Sequence, residues 1–224
     1  MNLKDKVVLV TGSSNGIGEK SAIRFAEKGS KVVVTYFGSE EDGKKVFEKC
    51  NELSEAILLR LDVSDEKSIK RALKDILKKF GGIDILVNNA GILSRKFFLE
   101  QSLDEIKNQV EVNLLGVMNL TWLFLPHLAK SEEAIIVNVA SVYSYEVDDE
   151  VAPYCATKFG VRGFTKSLAE ELPENVRIYC VNPGLTATKM TDFKGVPAGN
   201  VAEVIVGVCE KNDKDSGSDV GIPS

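Results

Sequence analysis

From Val7 to Gly18 the chain reads Val-Val-Leu-Val-Thr-Gly-Ser-Ser-Asn-Gly-Ile-Gly, an apolar, β-branched run entering a glycine-punctuated turn and then an amphipathic segment. A strand that turns sharply into a helix constrains this fold more than any other stretch. Gly12 can take the positive φ that such a turn needs, Gly16 lets a phosphate approach the backbone, and Gly18 lets the helix lie close on the sheet. The helix N-terminus then faces the anion. Glycines so spaced also serve tight packing with no ligand, so later segments must decide.

Further apolar runs at residues 32–35, 57–61, 83–87, 135–139 and 176–181 read as strands buried on both faces. Helical periodicity separates them. Between residues 65 and 80, Ile69, Ala72, Leu73, Ile76, Leu77 and Phe80 share one face, with Asp65 and Glu66 favouring the start and Gly81-Gly82 the stop. Gly29 ends the first helix in the same way, and Ser102 with Glu105 matches a capping box. Strict strand-helix alternation predicts a Rossmann-like, doubly wound parallel sheet with helices on both faces, a three-layer α/β/α single domain over residues 1–224. Ligands are expected at the carboxyl ends of its strands. Residues 184–199 form the least regular stretch, and 216–224 leave room only for a short last strand.

A hydrophobic share of 44% is ample for a core, and the net charge of -5 leaves no basic stripe for nucleic acid. A small-molecule substrate is expected instead. No apolar run reaches the length of a membrane span (about 20 residues), and Asn2, Lys4, Asp5 and Lys6 are unlike a signal peptide, so a cytoplasmic location is expected. Cys50, Cys155, Cys180 and Cys209 lie far apart and His127 is the only histidine, so no metal site is expected. His127 follows Pro126 at the end of an apolar helical run and reads as a helix-end residue. Ser-His-Asp hydrolysis would depend on it.

In Tyr154-Cys-Ala-Thr-Lys158 the tyrosine and lysine stand four apart and share a helix face. A lysine charge about 5 Å away at an effective dielectric of about 20 would favour phenolate by about 3 kcal/mol. Such a tyrosine can take or give a hydroxyl proton while a hydride moves. Alone, the pair could be an ordinary surface contact. Ser141 follows the strand at 135–139, at the predicted ligand edge, where its hydroxyl could hold a substrate carbonyl or merely cap a turn. Asn88-Asn89-Ala90-Gly91 ends the fourth strand with small residues and amides, as either a dinucleotide path or a turn.

Taken together, Thr11-Gly-Ser-Ser-Asn-Gly-Ile-Gly18, Asn88-Asn-Ala-Gly91, Asn113, Ser141, Tyr154-Cys-Ala-Thr-Lys158 and Pro183-Gly184 with Thr188 resemble the short-chain dehydrogenase/reductase family in order and spacing. The resemblance runs from about residue 3 to 188. It implies an NAD(P)-dependent oxidoreductase acting between a secondary alcohol and a carbonyl, 3-oxoacyl thioesters among the possible substrates. In this resemblance Tyr154 is the general acid-base, Lys158 lowers its pKa and binds the nicotinamide ribose, and Ser141 orients the substrate oxygen. Asn113 would hold a water in a proton relay. The implied cofactor-binding set is Gly12, Ser14, Asn15, Gly16, Ile17 and Gly18 in the turn, with Tyr36 after it. Asp62 and Val63 lie near the adenine, and Asn89, Ala90 and Gly91 run along the cofactor. Pro183, Gly184, Thr186 and Thr188 complete it, Thr188 on the nicotinamide carboxamide.

Three places depart from the pattern. Tyr36 stands where an acidic residue would select NAD, which favours NADP(H) over NAD(H), yet Asn15 and Phe37 occupy positions that often carry a basic residue in NADP-using members. A substrate loop at about 185–200 is shorter than is usual, which predicts an open site taking varied carbonyl compounds. The short tail at 213–224 puts tetramer contacts in question and leaves a homodimer through the helices carrying Asn113 and Tyr154, or a homotetramer. A catalytically silent dinucleotide sensor or scaffold is the competing reading, against which the intact Asn113, Ser141, Tyr154 and Lys158 stand.

Overall fold

The computed structural model describes residues 1–211 and 213–222; Pro223 and Ser224, at the end of the expected tail, lie outside the described residues. Seven strands form one wholly parallel sheet in the order β3-β2-β1-β4-β5-β6-β9. They are β1 (Val7–Val10), β2 (Lys31–Tyr36), β3 (Ala56–Arg60), β4 (Ile85–Asn88), β5 (Ala134–Val139), β6 (Val176–Pro183) and β9 (Asp219–Ile222). The connecting helices are α1 (Gly16–Glu27), α2 (Glu40–Leu53), α3 (Glu66–Phe80), α4 (Leu103–Val110), α5 (Gly116–Leu128), α6 (Ala152–Ala169) and α7 (Ala198–Lys211). Chain order reverses between β1 and β4, which opens a crevice at their carboxyl ends.

Side-chain alternation along β1 generates the layers. Val8 and Val10 pack with Phe25 of α1, Val46 of α2 and Ile205 of α7, whereas Val7 and Leu9 pack with Ile69 and Ile76 of α3 and Phe124 of α5. Each face of the sheet is therefore covered, as the β-branched runs predicted. The exception is β3, where only Ala56 is buried and Ile57 to Leu59 are half-exposed, because β3 is the sheet edge and has one neighbour.

Local signals act where the sequence placed them. Asp65 caps α3 by accepting from Lys67 N at 3.0 Å and Ser68 N at 3.2 Å, and Gly81 closes the helix at φ 79°. Ser102 and Glu105 form the capping box of α4. Between α4 and α5 the chain makes a π-helical turn over Glu111–Leu115, which carries Asn113. Residues 184–199 are more ordered than their composition suggested. Thr186–Ala187 (β7) and Val196–Pro197 (β8) form a two-stranded parallel pair around a 3-10 turn. Lys189 of that turn reaches Asp42 of α2 at 2.9 Å. None of the helices among the described residues is long and apolar enough to cross a membrane.

Candidate active site

Where β1 ends, Gly12 adopts φ 63° and Gly16 φ 58°, left-handed conformations that favour glycine at both corners. A Cβ on Gly18 would stand 2.4 Å from the Gly12 carbonyl oxygen and 2.6 Å from Asn89 Nδ2, so only glycine lets α1 approach this closely. Three hydroxyls pin the turn. Thr11 Oγ1 accepts from Asn89 N and Ala90 N, both at 2.9 Å, Thr35 Oγ1 accepts from Gly12 N at 3.0 Å, and Ser13 Oγ accepts from Thr35 N at 2.7 Å. Asn15, the residue before α1, makes no side-chain capping bond, so the first N–H groups of the helix remain available to an anion.

A cavity of about 660 Å3 runs from this turn along the carboxyl edge of the sheet. Its walls unite Gly12, Ser14, Asn15, Gly16 and Ile17 with Tyr36, Asp62 and Val63 at one end. Asn89, Ala90 and Gly91 line it as well, as do Ser141, Tyr154, Lys158, Pro183, Gly184, Thr186 and Thr188, with Thr188 lying against Gly16 of the turn. Two expected residues do not line it. Gly18 is buried behind the turn, and Asn113 lies wholly inside, its amide donating to Ile92 O and its carbonyl accepting from Ile92 N, both at 2.8 Å. Asn113 therefore acts on the cavity through the backbone beside Gly91, where an added Cβ would meet Asn113 Oδ1 at 3.3 Å and Lys158 Nζ at 3.8 Å. Asp62 Oδ1 accepts from Ser64 N at 3.0 Å and from Ser64 Oγ at 2.6 Å. His127 sits in the last turn of α5 and takes no part in the cavity.

Tyr154 and Lys158 behave differently from two exposed charges. Burial pushes the Tyr154 phenol up to about 12, with the adjacent Ser141 hydroxyl pulling the other way. Burial also pulls Lys158 down to about 8. Lys158 Nζ lies 5.4 Å from the Tyr154 ring centroid and donates to Val139 O at 3.0 Å. The simple Coulomb argument from sequence assumed an effective dielectric near 20 and left out this desolvation, which dominates in the chain alone. Burial therefore favours the protonated phenol of Tyr154 at neutral pH.

Sequence patterns gave no sign of the wall beside Tyr154. Tyr143 and Tyr154 pack edge to face, Tyr143 Oη donates to Asp148 Oδ2 at 2.8 Å, and Asp148 also accepts from Arg95 Nη2 at 2.8 Å. Arg95 Nε donates to Glu150 at 3.1 Å. Leu93, Val142, Leu185 and Met190 contribute apolar lining to the cavity. Tyr143 was reachable by extending the Ser141 strand exit two residues; Arg95, in an irregular segment, had no sequence signal.

The geometry agrees with comparisons to known proteins. The family model described as short chain dehydrogenase matches residues 6–196. The 3-oxoacyl-[acyl-carrier-protein] reductase FabG of Aquifex aeolicus is 39% identical over 193 residues, 85% of this chain and 78% of that protein. Its Staphylococcus aureus counterpart is 35% identical over 189 residues, 84% and 77% of the two chains. Among solved structures, a short chain dehydrogenase from Burkholderia cenocepacia in complex with NADP superposes with a TM-score of 0.93 at 31% identity, covering 99% of this chain and 98% of that one. Levodione reductase gives 0.92 at 25% identity, covering 98% and 96%. With a glycine turn, a sheet crevice and a Tyr154–Lys158 pair in one cavity, and with these matches spanning most of its length, the chain belongs to the short-chain dehydrogenase family and is an NAD(P)-dependent oxidoreductase.

Proposed function

We propose that this protein interconverts a carbonyl and a secondary alcohol with NADP(H), Tyr154 serving as proton donor in the reductive direction. The observation carrying the reading is the meeting of Ser141, Tyr154 and Lys158 with the Gly12–Gly18 turn in one cavity. The cradle suits a dinucleotide: two positive-φ glycines, an unspent helix N-terminus, and no room for a side chain at Gly18. Bound in that cradle, NADPH would supply the hydride. The chain's own residues do the rest. Ser141 and Tyr154 hydroxyls hold the carbonyl oxygen, Tyr154 releases its proton to that oxygen, and Lys158 carries positive charge beside the phenolate that remains. Asn113 fixes the Gly91–Ile92 backbone beside Lys158 and is assigned to the relay that reprotonates the pair. Asp62, Val63, Asn89, Thr186 and Thr188 are assigned to cofactor contacts along the cavity.

NADP(H) is supported by Tyr36 at the end of β2, which offers no carboxylate to repel a 2′-phosphate, and by the NADP complex of the Burkholderia neighbour. A 3-oxoacyl thioester heads the substrate candidates because the FabG relatives carry that name, and the apolar lining by Leu93, Val142, Leu185 and Met190 suits an acyl body. We further propose one domain, a cytoplasmic location and a homodimer. The last is supported by exposed Leu115, Trp122 and Phe159 on the segments carrying Asn113 and Tyr154.

Following nicotinamide absorbance over a panel of 3-oxoacyl thioesters, ketones and aldehydes tests the reading. Turnover by the wild type that Tyr154→Phe abolishes supports it. Cofactor binding without turnover of any panel member supports a silent sensor instead, and equal rates in Tyr154→Phe remove the acid assignment.

A further inference from the structure

An NADP-using chain needs a cation for the 2′-phosphate, and neither Asn15 nor Phe37 is one. The cations around the adenosine end of the cavity are mostly occupied: Lys44 pairs with Glu40 at 2.8 Å, Lys45 with Glu41 at 2.7 Å, and Lys189 with Asp42 at 2.9 Å. Arg60 differs. It ends β3 in register with Tyr36 of β2, is exposed, and has no carboxylate partner among the described residues. Its guanidinium carbon lies 5.4 Å from the centre of the Phe37 ring, and Phe37 lines the cavity.

We infer that Arg60, contributed by the third strand and held on the face of Phe37, is the residue by which this chain distinguishes NADP(H) from NAD(H). The inference rests on the cofactor reading above and assigns it a residue. Strand register carries the argument. Leu61 N donates to Tyr36 O at 2.8 Å, fixing the ends of β2 and β3 side by side, and paired positions of parallel neighbours project to the same face. Arg60 thereby stands next to the position that reads the adenosine ribose. Contact with the Phe37 ring, 5.4 Å from its centroid, holds the guanidinium beside the cavity wall, and with no carboxylate paired to it among the described residues its N–H donors suit bidentate contact with phosphate oxygens. Glu40 and Asp42 are paired with lysines, and the Asp62 carboxylate, which keeps its charge, is bonded through Oδ1 to Ser64 N and Oγ rather than to Arg60. Arg60 thus keeps a guanidinium without a carboxylate partner for a dianionic group, where NAD(H) offers only a neutral hydroxyl.

Calorimetric binding of NADP+ and NAD+ to wild type, Arg60→Gln and Phe37→Ala tests this without turnover, alongside adenosine 2′,5′-bisphosphate and 5′-monophosphate as fragments lacking nicotinamide. Loss of a charged hydrogen-bonding partner is expected to weaken NADP+ and the bisphosphate by about 10- to 100-fold in Arg60→Gln. NAD+ and the monophosphate should move by less than about threefold, a difference too small to count as a hydrogen bond. Phe37→Ala should show a smaller loss confined to the same two ligands. A wild type preferring NADP+ whose preference survives in Arg60→Gln overturns the Arg60 assignment alone. A wild type preferring NAD+ overturns the cofactor reading and this inference together. Arg60 is exposed, so matching thermal melts confirm that the variants are folded.

Discussion

The rings of Tyr143 and Tyr154 meet edge to face, their centroids 6.3 Å apart and their planes at 86°. This contact joins Tyr154 to a chain of polar groups on the cavity wall, from Tyr143 through Asp148 to Arg95, which also lines the cavity. An aromatic pair of this kind is worth about 0.5–1.5 kcal/mol beyond its burial. Tyr143→Ala should accordingly lower kcat by up to about tenfold. Tyr143→Phe keeps the ring, loses only the bond to Asp148, and should retain most of the wild-type kcat. Steady-state kinetics on any substrate that turns over measure both. Equal losses in the two variants would move the effect from ring packing to the hydroxyl.

Gly18 and Gly163 make a matched pair of tests for helix packing. A Cβ at Gly18 collides with backbone at 2.4 Å, whereas one at Gly163, inside α6, meets nothing within 4 Å. Gly18→Ala should cost about 1–3 kcal/mol as α1 is pushed from the turn, and weaken cofactor binding with it. Gly163→Ala should gain about 0.5–1 kcal/mol from helix propensity. Urea unfolding gives both values, and a neutral Gly18→Ala would show that α1 can shift without harm.

The contrast between these glycines also marks what the sequence could disclose. The strand-turn-helix, the capping residues and the Tyr154–Lys158 spacing are local patterns, each fixed within a few residues, and the structure has them within a residue or two of the expected bounds. Pairwise relations across the chain are not local. Thr11 reaching Asn89, Arg95 reaching Asp148, and Arg60 lying beside Tyr36 depend on which strands become neighbours, and no period or motif encodes that. Gly18 and Asn113, both expected at the site, hold backbone in place and do not line the cavity. Burial was the other blind spot, since desolvation of Tyr154 and Lys158 outweighs the attraction that their spacing suggests.

Burial of Lys158 makes stability depend on pH in a defined direction. Its folded value of about 8 lies below the ordinary 10.5, so between these limits the unfolded chain binds more protons and stability rises with pH. Below about 8 the folded state carries the full cost of the buried ammonium. Lys158→Met removes this dependence. The stability gap between Met variant and wild type should be widest at neutral pH, and narrow by about 3 kcal/mol at most as pH rises toward 10. Buried Cys50 and Cys209, both raised to about 12, titrate alike in the two proteins and cancel in the difference. A gap that stays constant from pH 7 to about 10 would mean that Lys158 is not depressed. The same titration predicts that kcat/KM for reduction declines above pH about 8, as the charge beside the Tyr154 phenolate is lost.

Thr11 offers the sharpest test of how the cradle is held. Its hydroxyl is 1% exposed in a residue that accepts two backbone N–H groups and donates to Val87 O at 3.3 Å. Valine has nearly the same shape, so Thr11→Val leaves packing intact while stranding the N–H of Ala90; Asn89 N keeps its second acceptor, Val87 O at 3.1 Å. A stranded buried donor costs about 1–3 kcal/mol. Because Ala90 belongs to the segment that lines the cavity, the loss should fall on cofactor affinity as well as on unfolding free energy. Amide hydrogen exchange should quicken at Ala90, less at Asn89, and stay unchanged in β9, at the far edge of the sheet. Uniform quickening across the sheet would instead mean global destabilisation and would deny Thr11 a local role in shaping the site.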